Sequence, residues 1–415
     1  MTDQKRWYAG VDWASESHLV FLADAEGRKI GERRFEHSGE GLADMAAWLM
    51  TTSGAAEAAQ VLVAIEVPHG PVVEALMERG FEVHAINPKQ MDRFRDRFTV
   101  AGAKDDSRDA EVMASALRTD PHCLRRLAPT DPIVIELREW SRIADDLTAE
   151  RIRLTNRMRD QLWRYFPAVL ELDTSLETEW MLELLQLVPT PDRAARLRET
   201  AVDKLLKRHR IRRFDAAHVL KTLRTKPLRL AAGTTEAASA HVAILIKPIR
   251  LVNQQLKEAM RQIDLLTARF TSSDEAEPGQ MKQRDVVILA SLAGVGRIVL
   301  ATLLAEGSDP LQRRDYSALR CLAGVAPVSR RSGKSWIVLR RYACNKRLAN
   351  AVYHWARVAV QRDPTSRAKY AALRSRGHNH ARALRSVADR LLNVACAMLR
   401  SGTIFNPSLS SQKTA

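Results

Sequence analysis

Trp7-Tyr8-Ala9-Gly10-Val11-Asp12-Trp13 reads as a short apolar strand with an acid near its end. Outward from it, His18 to Ala23 is a second apolar run, Glu26-Gly27 signals a turn, and Lys29 to His37 alternates as a third strand. Three such runs separated by turn signals predict a meander. Gly41 to Met50 then carries helical spacing through Leu42, Met45, Ala46 and Leu49. Val61-Leu62-Val63-Ala64-Ile65-Glu66 is a continuous apolar run that again stops at an acid, the pattern of a strand covered on both faces. Pro71 to Arg79 predicts a helix with proline near its start, and Phe81 to Ile86 a strand stopped by Asn87-Pro88. Ser107 to Leu117 predicts a closing helix. The order is βββ-α-β-α-β-α, a mixed sheet flanked by helices.

The pattern changes after this unit. Thr119 to Pro132 contains three prolines and no clear period, and reads as a linker. Ile133, Leu137, Trp140, Ala144, Leu147, Leu154 and Met158 follow steps of three and four, interrupted at Arg151. Leu245, Ile249, Val252, Leu256, Ala259, Ile263, Leu266 and Phe270 hold the same steps unbroken, with Pro248 marking a start or a kink. A repeat of about 3.5 residues specifies a left-handed helical seam. The two helices pair either within one chain or across a dimer, and an ordinary helical bundle accounts for the pattern as well as a coiled coil does. Between them, Lys204 to Arg213 has six Lys or Arg residues and no acid, either a solvated helix face or a phosphate-binding patch. Ser272 to Gln280 reads as a polar linker, Asp285 to about Arg400 as mostly helical, and residues 401–415 as a disordered tail.

Composition narrows the class of partner. The 415 residues carry 65 Lys plus Arg against 49 Asp plus Glu, a net charge of +16, with a pI near 10.0. Such an excess points to polyanions, nucleic acid foremost. The four cysteines, Cys123, Cys321, Cys344 and Cys396, form no C-x-x-C pair, which argues against structural zinc and for a reducing compartment. Met1 to Tyr8 lacks the apolar core of a secretory signal, so a cytoplasmic location is expected. Val286 to Ala305 holds only the charge of Arg297, yet that charge is central and follows Gly294-Val295-Gly296. The reading is two buried helices joined by a glycine turn, with no membrane span.

Asp12 and Glu66 end two strands, and Asp106 and Asp109, three apart, share one face at the start of a helix. Carboxylates gathered on one spot repel, so they take up protons or bind a hard cation. Two magnesium ions about 4 Å apart suit phosphodiester chemistry, one activating the attacking oxygen and the other steadying the leaving one. The plainer alternatives are helix N-terminal acids favoured by the dipole for Asp106 and Asp109, and turn or surface roles for Asp12 and Glu66.

This order of elements and acids resembles the RNase H-like, RuvC-type nuclease fold. More closely, Gly10-Val11-Asp12, Ile65-Glu66 and Lys104-Asp105-Asp106-Ser107-Arg108-Asp109-Ala110 resemble the DEDD transposases of one insertion-sequence family, the bridge-RNA-guided serine recombinases. Leu292-Ala293-Gly294-Val295-Gly296, Leu304-Ala305-Glu306, Leu322-Ala323-Gly324-Val325-Ala326-Pro327 and Ser332-Gly333 are similar to that family's second domain. The resemblance covers roughly residues 7–120 and 285–400. It implies a RuvC-like domain over 1–120, a linker and long helical, coiled-coil insertion over 121–284, and a mainly α-helical transposase domain over 285–400. It also implies Mg2+ on Asp12, Glu66, Asp106 and Asp109, and Ser332 as a nucleophile that becomes linked to DNA phosphate. The implied partners are donor and target double-stranded DNA, a guide (bridge) RNA, and further copies of the chain, dimer to tetramer, with each site shared between subunits. The family places a small polar residue where Asp105 stands, so either Asp105 or Asp106 is the ligand; the Asp-x-x-Asp-Ala spacing selects Asp106.

By its surroundings alone, Ser332 is one of three similarly placed serines, with Ser329 and Ser335. A serine hydroxyl needs a base or a nearby cation to act. From Arg313 to Arg347 there are ten Lys or Arg residues and one acid, Asp315, enough to neutralise a scissile phosphate. Gly333 admits close approach of a DNA backbone. Gly294-Val295-Gly296 is either a tight interhelical turn or a phosphate-contacting one, and Trp336 and Tyr342 serve as core packing or as stacking platforms. The competing function is a metal-dependent, structure-specific DNA nuclease of junction-resolvase type that cuts with water and forms no covalent intermediate.

Overall fold

β1 (Trp7–Trp13), β2 (Ser17–Ala23) and β3 (Lys29–Glu36) form the expected antiparallel meander in the computed structural model, which describes residues 6–98, 105–128, 131–272, 283–333 and 335–406. α1 (Gly39–Ser53) follows, capped by Ser38, whose hydroxyl accepts from the Gly41 amide. β4 (Val61–Ile65) pairs parallel to β1 and β5 (Glu82–Ala85) parallel to β4, joined by α2 (Pro71–Glu78). α3 (Pro88–Arg95), α4 (Asp106–Thr119) and β6 (Arg125–Arg126) complete a sheet of order β3-β2-β1-β4-β5-β6. This mixed α/β unit agrees with the RNase H-like class that the resemblance implied.

Two local features depart from the expectations. The stretch taken as a linker after Thr119 contributes β6, which pairs antiparallel to β5 through His84 and Ala85. A two-residue edge strand is too short to show alternation. α3 begins at the proline read only as a stop: Asn87 caps it, Gln90 closes the box back to the Asn87 amide, and Pro88 stands in the first turn, where its missing N–H costs nothing.

The chain divides into two compact units, Met1–Thr130 and Asp131–Ala415. In the second, α5 (Pro132–Tyr165) leads into five short helices, α6 (Ala168–Leu172), α7 (Glu179–Leu187), α8 (Pro191–Arg196), α9 (Glu199–Arg208) and α10 (Ala216–Leu223), and returns along α11 (Thr234–Ser272). Leu137 and Ala144 share a core with Ala259, Ile263 and Leu266, while Leu154 and Met158 share another with Leu245, Ile249 and Val252. The two seams therefore meet antiparallel within one chain. Pro248 does not start its helix; α11 begins at Thr234 and carries the proline inside. The Phe270 side chain, the Ser272–Gln280 linker beyond its first residue, and most of the tail lie outside the described residues.

α12 (Gln283–Ser291), α13 (Arg297–Glu306), α14 (Ser308–Gln312) and α15 (Tyr316–Leu322) come next, then a ribbon of β7 (Val328–Ser332) and β8 (Ser335–Leu339), then α16 (Lys346–Arg362), α17 (Pro364–Ser375) and α18 (His380–Ser401). The glycine turn between α12 and α13 is present, and no described helix is long and apolar enough to cross a membrane. Leu304, Trp355, Leu384 and Leu392 are among the residues that close this helical core.

Candidate active site: an acidic face and an exposed serine

Strand pleat decides where the first acids point. Ala9, Val11, Val63 and Ile65 face a core built with α1 and α2. Leu62 and Ala64 face the other way, packing with Val112 and Met113 of α4. Side chains two apart share a face, so Glu66, which continues β4 beyond Ala64, lies on the α4 side. On β1 the same parity applies. A methyl group at Gly10 would sit 1.9 Å from the Ala110 carbonyl oxygen, so α4 rests directly on the bare backbone of Gly10. Asp12, two residues on, shares that face. Val11 is registered with Ile65, which sets Asp12 beside Glu66 at the ends of adjacent parallel strands. Asp106 and Asp109 occupy the first turn of the helix pressed against this face.

All four carboxylates are thus on one side of the sheet, and two of them carry arginine partners. Asp109, only 5% exposed, accepts a two-pronged contact from Arg95 of α3, at 2.8 Å from Nε and 3.0 Å from Nη2. That contact raises the Arg95 pKa and keeps the guanidinium charged. Asp106, exposed, meets Arg34 of β3 at 3.1 Å, and Ser107 donates to Glu32 at 2.8 Å. Asp105 stands at the N-cap position of the helix without a side-chain capping bond and is exposed. No three of the four acids bring ligand oxygens within 4.8 Å of one another. The donor set fits a divalent cation in kind, being hard oxygen ligands on one face. To take such an ion, Asp109 exchanges a guanidinium for it. Arg95 and Arg34 were missed in the sequence, where nothing links them to the acids; a fork of donors opposite a buried carboxylate is visible only once the helices are placed.

Ser332 is the last residue of β7, paired with Ser335 across a turn at Gly333, whose φ of 53° lies in the left-handed region. Ser332, Arg330 and Arg331 are exposed, and no histidine or carboxylate is paired with Ser332 among the described residues. Ser329 and Ser335 are exposed on the same ribbon. Trp336 and Tyr342 are 72% and 78% exposed, so core packing is excluded for both. The ribbon itself was not foreseen: every residue of β8 is exposed, so it lacks the one-sided alternation that marks a strand.

Other singled-out residues have structural partners. Glu306 is buried, with Arg142 at 2.9 Å and Asn345 at 2.7 Å, tying α5, α13 and α16 together. Burial opposes its charge, and the Arg142 and Asn345 contacts outweigh that, holding the carboxyl below its ordinary range. Gly294 lies against the α16 backbone at Ala359, and the Trp355 indole donates to the Ala293 carbonyl at 3.0 Å, which makes this turn a packing element. In the basic run, Lys207 pairs with Asp203, Arg208 and His209 with Glu183, and Arg213 with Asp173. Among the described residues, one group of metal-type ligands is close enough for a single ion, Asp120, His122 and Cys123, on a surface turn where Asp120 already accepts from Thr119 and Arg97.

Comparison with known proteins places the chain in a family. A family model described as a transposase, of the DEDD IS110 type, matches residues 9–167, and a second, described as transposase IS116/IS110/IS902 family, matches residues 286–371. A transposase candidate named y4uE of Sinorhizobium fredii is 77% identical over 216 residues, which are 52% of this chain and 60% of that protein. The mini-circle transposase candidate for IS117 of Streptomyces coelicolor is 32% identical over 393 residues, 93% of this chain and 92% of its own. The insertion element IS116 protein of Streptomyces clavuligerus, 44.8 kDa and uncharacterised, is 28% identical over the full length of both. With both halves of the motif set matched and a 32% identical relative aligned almost end to end, the chain belongs to the IS116/IS110/IS902 family of DEDD transposases, proteins of mobile insertion sequences.

Proposed function

We propose that this transposase is an RNA-guided DNA recombinase that exchanges strands through a phosphoserine intermediate. Ser332 Oγ attacks the phosphorus of a DNA strand, forming a serine–phosphate ester and breaking the bond to a deoxyribose oxygen. The serine proton passes to a base or to solvent, and the departing oxygen takes up a proton. Rejoining reverses the step with another strand end, so no external energy source is needed. Arg330 and Arg331 beside Ser332 offset the charge of the attacked phosphate. Asp12, Glu66, Asp106 and Asp109 would hold Mg2+, which supplies stabilisation of the charge that develops on phosphate oxygens. Guide RNA is bound by its phosphates and shape, donor and target DNA are selected by pairing with it, and the working assembly is a homo-oligomer, dimer to tetramer.

The observation that carries this reading is the place of Ser332: exposed at the turn of a basic ribbon, beside two arginines. The test is a trap. Enzyme, guide and DNA are mixed, denatured and separated, and a protein–DNA adduct is sought. Adduct formation that Ser332→Ala abolishes is the expected result. Cutting without adduct would favour the water-driven, metal-dependent nuclease instead.

A further inference from the structure

A cavity of about 420 Å³ opens where the ribbon returns to the helical core of the second unit, between the end of α15, the stretch after β8, and helices α16 and α18. Arg340, Arg341, Lys346 and Arg385 line it together with Tyr342 and Tyr353, and no acid does. None of these four cations is paired with a carboxylate among the described residues. The Arg341 Nε is buried with no hydrogen-bond partner. Burial, and then repulsion from Arg340 and Arg382, lower the Arg385 pKa. Arg340 lies over the Tyr342 ring, 5.3 Å from its centre.

This arrangement is costly in isolation. Like charges crowd together, and one guanidinium has a desolvated donor with nothing to receive it. An anion with several acceptor oxygens removes both costs, and the planar guanidinium fork matches phosphate. The volume is of ligand size. The aromatic rings add a stacking surface that a bare inorganic anion has no use for. Arg330 and Arg331 continue the positive charge along the ribbon, so the charge forms a track, as a chain of phosphates requires.

We propose that this cavity holds one unpaired nucleotide of a nucleic-acid strand, its phosphate on Arg341 and Arg385 and its base against Tyr342. The proposal goes beyond the nucleophile assignment and shares with it only the premise that the chain handles nucleic acid. The strand is DNA or RNA, which offer the same phosphate and base chemistry.

The test measures binding of fluorescent single-stranded 12-mers, one DNA and one RNA, to the full chain in EDTA, so that cutting does not contribute. Arg341→Ala and Arg385→Ala are each expected to weaken binding of one of the two at least about tenfold. Each is also expected to flatten the salt dependence by about 0.7 in log–log slope per lost phosphate contact. Tyr342→Leu, at an exposed ring whose removal leaves the fold intact, is expected to weaken binding about tenfold. That loss is expected to shrink when the 12-mer is abasic. Arg196→Ala, an exposed arginine on α8, is the comparison. Equal losses for Arg196→Ala and the cavity variants, or cavity variants that bind like the parent chain, would overturn the site while leaving the serine mechanism untouched. A parent chain that binds neither 12-mer would likewise overturn the site.

Discussion

The acidic face of the first unit and the basic cavity of the second handle charge in opposite ways. On the acidic face, Asp109 and Asp106 are matched by Arg95 and Arg34. Around the cavity, Arg340, Arg341, Lys346 and Arg385 stand together with no acid among them. Charges that serve the fold are neutralised by the fold; charges left unneutralised are held ready for something that is not part of the chain. The proposed reaction would draw on both regions: cations to bind a DNA phosphate, and acids that exchange their arginine partners for a metal.

That contrast can be broken by substitution. The largest effect is expected for Asp12→Asn or Glu66→Gln, which remove charge from the acidic face without changing shape. Strand cutting should fall about 10³-fold, a loss of several kcal/mol of transition-state stabilisation, read in a plasmid recombination assay. Full activity in both variants would remove the metal role. Next comes Gly10→Val. It drives a side chain into the α4 backbone, and about 3 kcal/mol of stability should be lost in urea unfolding. Arg95→Met follows, with a loss of about 3 kcal/mol, because Asp109 is left buried and unpaired. Its counterpart sharpens the comparison: Arg385→Met should leave stability unchanged or raise it by about 0.5 kcal/mol, since one of several like charges is removed. If Arg385→Met destabilised as much as Arg95→Met, the distinction between paired and unpaired regions would be lost.

The smallest effect is a pH dependence. His18 is buried on β2, 2.9 Å from His37, and burial followed by repulsion from His37 pushes its pKa below 6.5. Above 6.5 the ring is neutral in both folded and unfolded chains, and the full stability is present. As pH falls below 6.5, the unfolded chain takes up the proton first, so stability declines until the folded pKa is passed. The urea midpoint is therefore expected to drop as pH falls below about 6.5 and to drop less in His37→Gln.

The strands β1 to β5 and the helices α1, α2 and α4 were legible because they rest on local periodicity, and so were the positions of the four acids at strand and helix ends. β1 and β4 are short apolar runs that stop at acids, and Gly10-Val11-Asp12 repeats the strand's own alternation. The seams on α5 and α11 were equally legible, but their pairing was not: a heptad says that a partner exists, and only the placement of the five intervening helices shows that it lies in the same chain. β6 and the β7–β8 ribbon escaped because one is two residues long and the other is exposed on both sides, so neither leaves an alternation to read.

What the sequence determined alone was the set of elements and the order of charged groups along them, since hydrophobic period and turn chemistry act over a few residues. What tertiary structure decided was which charges meet. Arg34 is 72 residues from Asp106 and Arg95 is 14 from Asp109, and Arg341 and Arg385 come together only where the exit of a ribbon is folded against α18. Coulomb and hydrogen-bond energies depend on separation in space, which no spacing along the chain encodes.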